Sequence, residues 1–189
     1  MLEKEAVVGN SLVSMYAKCG MLEKAQKVFD ELPVQNVVSW NALIAGYAKH
    51  GYGEEALKCL EQMQLGSIIP NSVTFICSFK ACSSIGATNK GREIHAGVER
   101  RGISTGKELM VANLIIDMYA KCGFLASARH VFDKLLIRDV VSWTTLIAGY
   151  VEYGHGEEAI KCFGKMQLEG ISPDPVTFVC ALKACISIG

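Results

Sequence analysis

No apolar stretch of this 189-residue chain reaches 18 residues, so the sequence offers no helix able to cross a membrane, and no membrane partner is expected. Neither sign of charge is in excess: 19 Lys and Arg stand against 19 Asp and Glu. That balance gives no bulk attraction to nucleic acid or acidic lipid, so an anionic partner must be met by a local basic surface. The opening residues, MLEKEAVVGN, lack the basic start and apolar run of a signal peptide and the Arg- and Ser-rich composition of a transit peptide. Met1 leads directly into repeat-like sequence, and a piece of a longer protein is expected. Catalytic signatures are missing too. The pair H-x-E with P-C-x-x-C, which a zinc deaminase needs, is absent, as is G-x-x-x-x-G-K-[ST]. His50, His95, His130 and His155 stand at no ligand spacing to a cysteine pair. The expectation is a non-catalytic chain with no cofactor and no metal. Half the residues are hydrophobic and a fifth charged, which predicts a folded chain.

The eight cysteines pair as Cys19/Cys122, Cys59/Cys162, Cys77/Cys180 and Cys82/Cys185, each pair 103 residues apart. They are repeat positions used twice. Cys77–Cys82 and Cys180–Cys185 lie in runs that read as helix, where five residues turn the side chains ~140° apart, so the thiols cannot share a ligand. Buried free thiols are expected.

Laying 10–86 over 113–189 makes 44 of 77 positions identical without a gap. Such self-similarity demands a repeat architecture. Within the 103-residue period three helix-hairpin signatures follow one another. They are NSLVSMYAKCGMLEKAQKVFDEL, VVSWNALIAGYAKHGYGEEALKCLEQMQ and SVTFICSFKACSSIGATNKGREIHAGVERRG. Ala25, Val28 and Phe29 share one helix face, as do Ala56, Leu57, Leu60 and Met63. Gly20, Gly51, Gly86, Gly123 and Gly154 fall where a first helix should stop. Asn36, Asn71, Asp139 and Asp174 stand where an N-cap is wanted, and Pro175 follows at a first helical position. No strand-period alternation is present. The predicted fold is an all-α solenoid of antiparallel helix-turn-helix repeats, about five and a half of them, each burying its face by stacking on its neighbours.

Trp143, Leu146, Tyr150, Ala159 and Phe163 partly meet the tetratricopeptide pattern. Its Gly is replaced by Ile44 and Ile147, and its constant step of about 34 residues is not kept. The phrases MYAKCG, VFD, VSWN and GREIHA, with LxAC-like strings in VTFICSFKACSSIG, resemble instead the plant pentatricopeptide repeat family in its PLS subclass. The resemblance covers nearly the whole chain. It implies motifs that rotate between short (6–36 and 109–139), P (37–71 and 140–174) and long (72–108, with a truncated copy at 175–189), in a right-handed superhelix. Their lengths of 31, 35 and 37 residues account for the period of 103.

The resemblance also implies single-stranded RNA binding at one base per repeat. Fifth-position residues would meet the base edge, and last-position residues would support them. The pairs are Asn10 with Asn36, Asn41 with Asn71, Asn113 with Asp139, and Thr144 with Asp174. Long motifs place Ile76 and Val179 at the reading position, with Glu108 as one supporting residue, and aliphatic groups cannot read an edge. Second-position residues would pack on the base planes: Val7, Val38, Val73, Met110, Val141 and Val176. The family's code implies a target 5′-Y-Y-n-U-G-3′, a role like that of organellar C-to-U RNA-editing or processing factors in mitochondrion or chloroplast, and a deaminase-bearing or editing-factor protein acting in trans. The alternative is a protein-binding scaffold of tetratricopeptide type without an RNA role. Trp40, Trp143, Tyr16, Tyr47, Tyr119 and Tyr150 read as packing residues. Lys18, Lys121 and Arg100-Arg101 read as a solvated face that phosphate can also touch.

Overall fold

The structure is a computed structural model that describes the backbone of residues 2–100 and 109–189 and the side chains of 7–100 and 109–189. Eleven helices and no strand occur among the described residues: α1 (Leu2–Lys18), α2 (Leu22–Asp30), α3 (Val37–Lys49), α4 (Gly53–Leu65), α5 (Ser72–Ile85), α6 (Thr88–Arg100), α7 (Leu109–Lys121), α8 (Leu125–Asp133), α9 (Val140–Glu152), α10 (Gly156–Leu168) and α11 (Pro175–Ile188). The helices fall into two compact units, Met1–Lys90 and Gly91–Gly189. In the first, α1, α3 and α5 stack in succession while α2 and α4 pack behind them. In the second, α7, α9 and α11 stack in the same way over α8 and α10. Each unit is a stretch of all-α solenoid.

The helix ends follow from local chemistry. Asn36, Asn71, Asp139 and Asp174 are all extended N-caps whose side chains accept from the backbone N–H three residues on. The residue at that third position is Ser39, Thr74, Ser142 or Thr177, and its hydroxyl closes a capping box on the cap's own N–H. The five expected stop glycines all have positive φ, and Gly86 at +66° caps α5 in the left-handed region that other L-residues avoid.

Close approach of successive first helices explains two of the repeated letters. A Cβ on Gly46 would lie 2.6 Å from that of Ala17, and one on Gly149 would lie 2.6 Å from that of Ala120. Only glycine lets α3 close on α1, and α9 on α7. Behind that contact Phe29, Leu43, Ile44, Leu60 and Met63 fill the first unit's core, and Phe132, Trp143, Leu146, Ile147 and Met166 fill the second. Trp40 and Trp143 are core residues. Their rings meet Phe29 and Phe132 edge-on at centroid distances of 4.5 and 4.6 Å. The face of α11 carrying Val176, Phe178, Val179 and Leu182 is exposed.

Burial of the thiols holds only in part. Cys59, Cys77, Cys82 and Cys162 are buried, Cys122 and Cys180 are half-buried, and Cys19 and Cys185 are exposed. Repeat register sets where a thiol sits on its helix but not what lies against it. Burial, with Asp30 and Glu55 nearby, pushes the Cys59 thiol up to about 12, so it stays protonated and packs as a small apolar group. No cluster of His, Cys, Asp and Glu able to hold a metal occurs among the described residues.

Candidate functional site

The second-position side chains expected to meet base planes are all exposed: Val7, Val38, Val73, Met110, Val141 and Val176 keep 50–66% of their surface open. Each sits in the first turn of its helix or, for Val7, partway along α1. An aliphatic side chain left open at the same register in every first helix is not a core residue. In the first unit Val7 and Val38 flank Asn10 around one groove of about 760 Å³, with Met15 and Lys18 also on its walls. Two aliphatic side chains, an amide and an ammonium lining one groove are what a flat, polar-edged, anionic ligand needs. Lys121, the copy of Lys18, is instead held by Asp117 at 2.9 Å. Arg100 donates to the Ala96 carbonyl. Arg101 and Glu108 lie outside the described residues.

Three of the four expected polar pairs meet directly. Asn10 Nδ2 donates to Asn36 Oδ1 at 3.4 Å, Asn41 Nδ2 to Asn71 Oδ1 at 3.1 Å, and Asn113 Nδ2 to Asp139 Oδ1 at 3.4 Å. Each amide keeps a second N–H to donate. The geometry is supplied by capping: the last residue of one repeat is the N-cap of the next first helix, so its side-chain oxygen is already pinned when the amide reaches it. Thr144 and Asp174 are joined through a third residue. Thr144 Oγ1 lies 2.6 Å from Thr177 Oγ1, which lies 2.7 Å from Asp174 Oδ1. Thr74 plays the same part beside Asn41, donating to its Oδ1 at 2.6 Å. These two threonines did not stand out in the sequence. The signal that could have found them is a hydroxyl residue three places after each Asn or Asp cap, in NSVT and DPVT. Ile76 is half-buried and Val179 half-exposed at the corresponding positions of α5 and α11.

Electrostatics follow the same contacts. Burial pushes the Asp139 carboxyl up, but hydrogen bonds from the Ser142 N–H, the Ser142 hydroxyl and Asn113 outweigh it and hold the group below the usual carboxylate range. The Thr177 N–H and hydroxyl hold Asp174 low as well. A carboxyl depressed in the folded state stabilises the fold above its unfolded pKa, near 3.9, and the gain is lost as pH falls through the folded value. Asp139→Ala is therefore expected to cost about 1 kcal/mol at pH 7. The gap between variant and parent should narrow at about pH 3 and below. Urea midpoints at both pH values check this, and a gap that widens in acid would contradict it.

Of the other expected packing residues, Tyr119 is buried and Tyr16, Tyr47 and Tyr150 are half-buried. Tyr47 donates to Gln26 Oε1 at 3.1 Å, and Tyr119 is buried with its hydroxyl 3.2 Å from His95 Nδ1. Desolvation lowers the His95 pKa, with Glu99 opposing, so this histidine is a neutral packing residue near pH 7.

Comparison with known proteins gives a consistent set. The model of the PPR repeat family matches residues 35–84 and 138–187, and a PPR repeat model matches 10–37 and 111–140. Among curated relatives, the chloroplastic pentatricopeptide repeat-containing protein CRR2 of Arabidopsis thaliana is 44% identical over 177 residues, covering 93% of this chain and 27% of its own length. A pentatricopeptide repeat-containing protein of the same plant, named as mitochondrial, is 39% identical over 188 residues, covering 100% of this chain and 30% of its own. The chain spans well under a third of the curated relatives it matches. Of solved structures, the pentatricopeptide repeat protein PPR10 in complex with an 18-nt psaJ RNA element superposes with a TM-score of 0.77 at 20% identity, over 94% of this chain and 27% of that one. The PPR domain of the Arabidopsis thaliana protein-only RNase P 1, in complex with tRNA, gives 0.70 at 13% identity over 96% and 98%. At these identities the structural likeness speaks for the fold.

Proposed function

The chain belongs to the pentatricopeptide repeat family, and on that footing we propose that it binds single-stranded RNA, one base per repeat, without catalysing a reaction itself. The observation that carries this reading is the groove in which Val7 and Val38 flank Asn10. A base slotted between two aliphatic side chains is held whatever its identity, because every base has a flat face. Its edge then faces an amide whose orientation is set by a capped side chain. The similar structures in complex with psaJ RNA and with tRNA support the ligand class.

The finer assignment follows the rotating short, P and long motifs of the PLS subclass. Asn10 with Asn36 and Asn41 with Asn71 take a pyrimidine, Asn113 with Asp139 takes U, and Thr144 with Asp174 takes G. Ile76 leaves its base unspecified. The target element is 5′-Y-Y-n-U-G-3′, and the role is that of a specificity module for RNA editing or processing in chloroplast or mitochondrion, the compartments named for several relatives. A deaminase-bearing protein acting in trans would supply the chemistry.

A gel shift tests the reading. A labelled single strand carrying the element is expected to bind, and the same sequence as duplex RNA or as DNA is expected to bind more weakly. Affinity should fall with salt at a log–log slope of about −0.7 for each phosphate neutralised. Equal binding to duplex and single strand, or none to either, would remove RNA reading as the function.

A further inference from the structure

The hydroxyl at the third position of α3, α5, α9 and α11 makes two different networks. Where it is serine, it serves only the cap: Ser142 Oγ donates to Asp139 Oδ1 at 2.7 Å and Ser39 Oγ to the Asn36 carbonyl at 2.9 Å. The neighbouring Asn113 and Asn10 then keep a buried Oδ1 with no hydrogen-bond partner among the described residues. Where it is threonine, it reaches the fifth-position side chain at 2.6 Å in both repeats, although Thr74 and Thr177 are themselves wholly buried.

A hydroxyl has one proton, and counting protons fixes the direction of each bond. Asp174 is a carboxylate that can only accept, and it lies 2.7 Å from Thr177 Oγ1. A charged acceptor outcompetes a neutral hydroxyl for the same proton. Thr177 therefore donates to Asp174. The 2.6 Å contact with Thr144 is then filled by the proton of Thr144, and the Thr144 oxygen has only lone pairs left to offer. In the first unit the cap is Asn71, a neutral amide, and the Thr74 proton takes the shorter path to Asn41 Oδ1, 2.6 Å against 3.2 Å to Asn71. Asn41 is left with a free N–H.

Given that Thr144 meets a base, we propose that Thr177 is a specificity-determining positioning residue: it never touches RNA, but by taking the Thr144 proton it makes Thr144 a hydrogen-bond acceptor that favours a base with adjacent donors over one whose edge offers acceptors there. Every base presents a donor on its pairing edge, but guanine alone presents two adjacent ones, N1–H and N2–H, so an acceptor-only Thr144 fits the G assigned above.

The test uses the 189-residue chain and four single-stranded RNAs that differ only at the base opposite Thr144. The parent should prefer G by about tenfold. Thr177→Val keeps the buried shape and the backbone N–H that caps onto Asp174, but it frees the Thr144 hydroxyl to donate or accept. Preference should fall to about twofold or less with overall affinity nearly kept. Ser142→Ala removes an equivalent capping hydroxyl that does not touch Asn113, and it should leave the letter read there unchanged. Undiminished G preference in a folded Thr177→Val variant overturns the proposal. An RNA-independent readout accompanies it: the NMR-detected titration midpoint of Asp174 should rise in Thr177→Val. A midpoint that stays put overturns the proton assignment. Failure of the parent to bind any of the four RNAs overturns the RNA reading and the specificity role together, while the Asp174 titration still decides where the proton goes.

Discussion

Trp143→Ala is expected to destabilise the second unit by about 3–5 kcal/mol. The indole is 1% exposed and its ring meets Phe132 edge-on at 4.6 Å, a pair worth about 0.5–1.5 kcal/mol beyond its burial. No neighbour can fill the space, because α9 is already held against α7 by the Gly149–Ala120 contact. The loss is a large share of the roughly 5–15 kcal/mol that holds an ordinary domain together. Trp143→Phe should be far milder. It keeps a ring against Phe132 and discards an indole N–H that is buried without a partner among the described residues, a burial that itself costs about 1–3 kcal/mol. Urea unfolding followed by circular dichroism separates the three proteins. A Trp143→Ala midpoint close to the parent's would deny the core role. Because repeats couple chiefly to their neighbours, hydrogen exchange should rise first in α8, α9 and α10.

That core was legible in the sequence because periodicity and copying both point inward. Trp40 and Trp143, the stop glycines and the Asn and Asp caps are one-dimensional signals: each depends on spacing along a single helix or on the residue at its end. Gly46 and Gly149 were visible as repeated letters, but the reason for them, a 2.6 Å approach to an alanine of the preceding first helix, belongs to two helices at once. The thiols show the same limit. Cys82 is fully buried and its copy Cys185 is exposed in an identical register, since register carries no information about neighbours.

The candidate site divides the same way. The pairs of polar residues came from resemblance to a family; nothing in their spacing says that Asn10 reaches Asn36. The groove between Val7 and Val38 joins the first helices of two repeats and has no linear signature. Thr74 and Thr177 read as ordinary residues of a helix start. Only packing shows that a capping hydroxyl on one helix lies within bonding distance of a side chain on the helix before it. The change of the cap from Asn71 to Asp174 looks conservative in sequence, yet it turns an amide that can donate into a carboxylate that can only accept.

Thr144→Asn should turn the preference at that base from G toward U. The new amide would stand beside Asp174 as Asn113 stands beside Asp139, where Nδ2 donates to the carboxylate and one N–H remains. A group that offered only lone pairs would now offer a proton. Guanine's two N–H groups lose their acceptor, because the new amide oxygen would be buried as that of Asn113 is, while uracil's two carbonyl oxygens gain a donor. A well-matched base contact is worth about 1–3 kcal/mol, so the ratio of G to U affinity should shift by roughly 5- to 150-fold. Competition binding with two RNAs that differ at this one base measures the ratio directly, and matched melting curves exclude a folding defect. Thr144 is half-buried and interchanges one small polar side chain for another, so stability should change little. An unmoved ratio would mean that Thr144 does not face the base. Since the reading residue of every other repeat is assigned by the same register, Asn10, Asn41 and Asn113 would lose their roles with it. The shared scaffold of VVSWNALIAGY and VVSWTTLIAGY makes this the sharpest place to look. Trp, Leu, Ile and Gly hold the same positions in both copies, so a change of letter can come only from the polar side chains that differ between them.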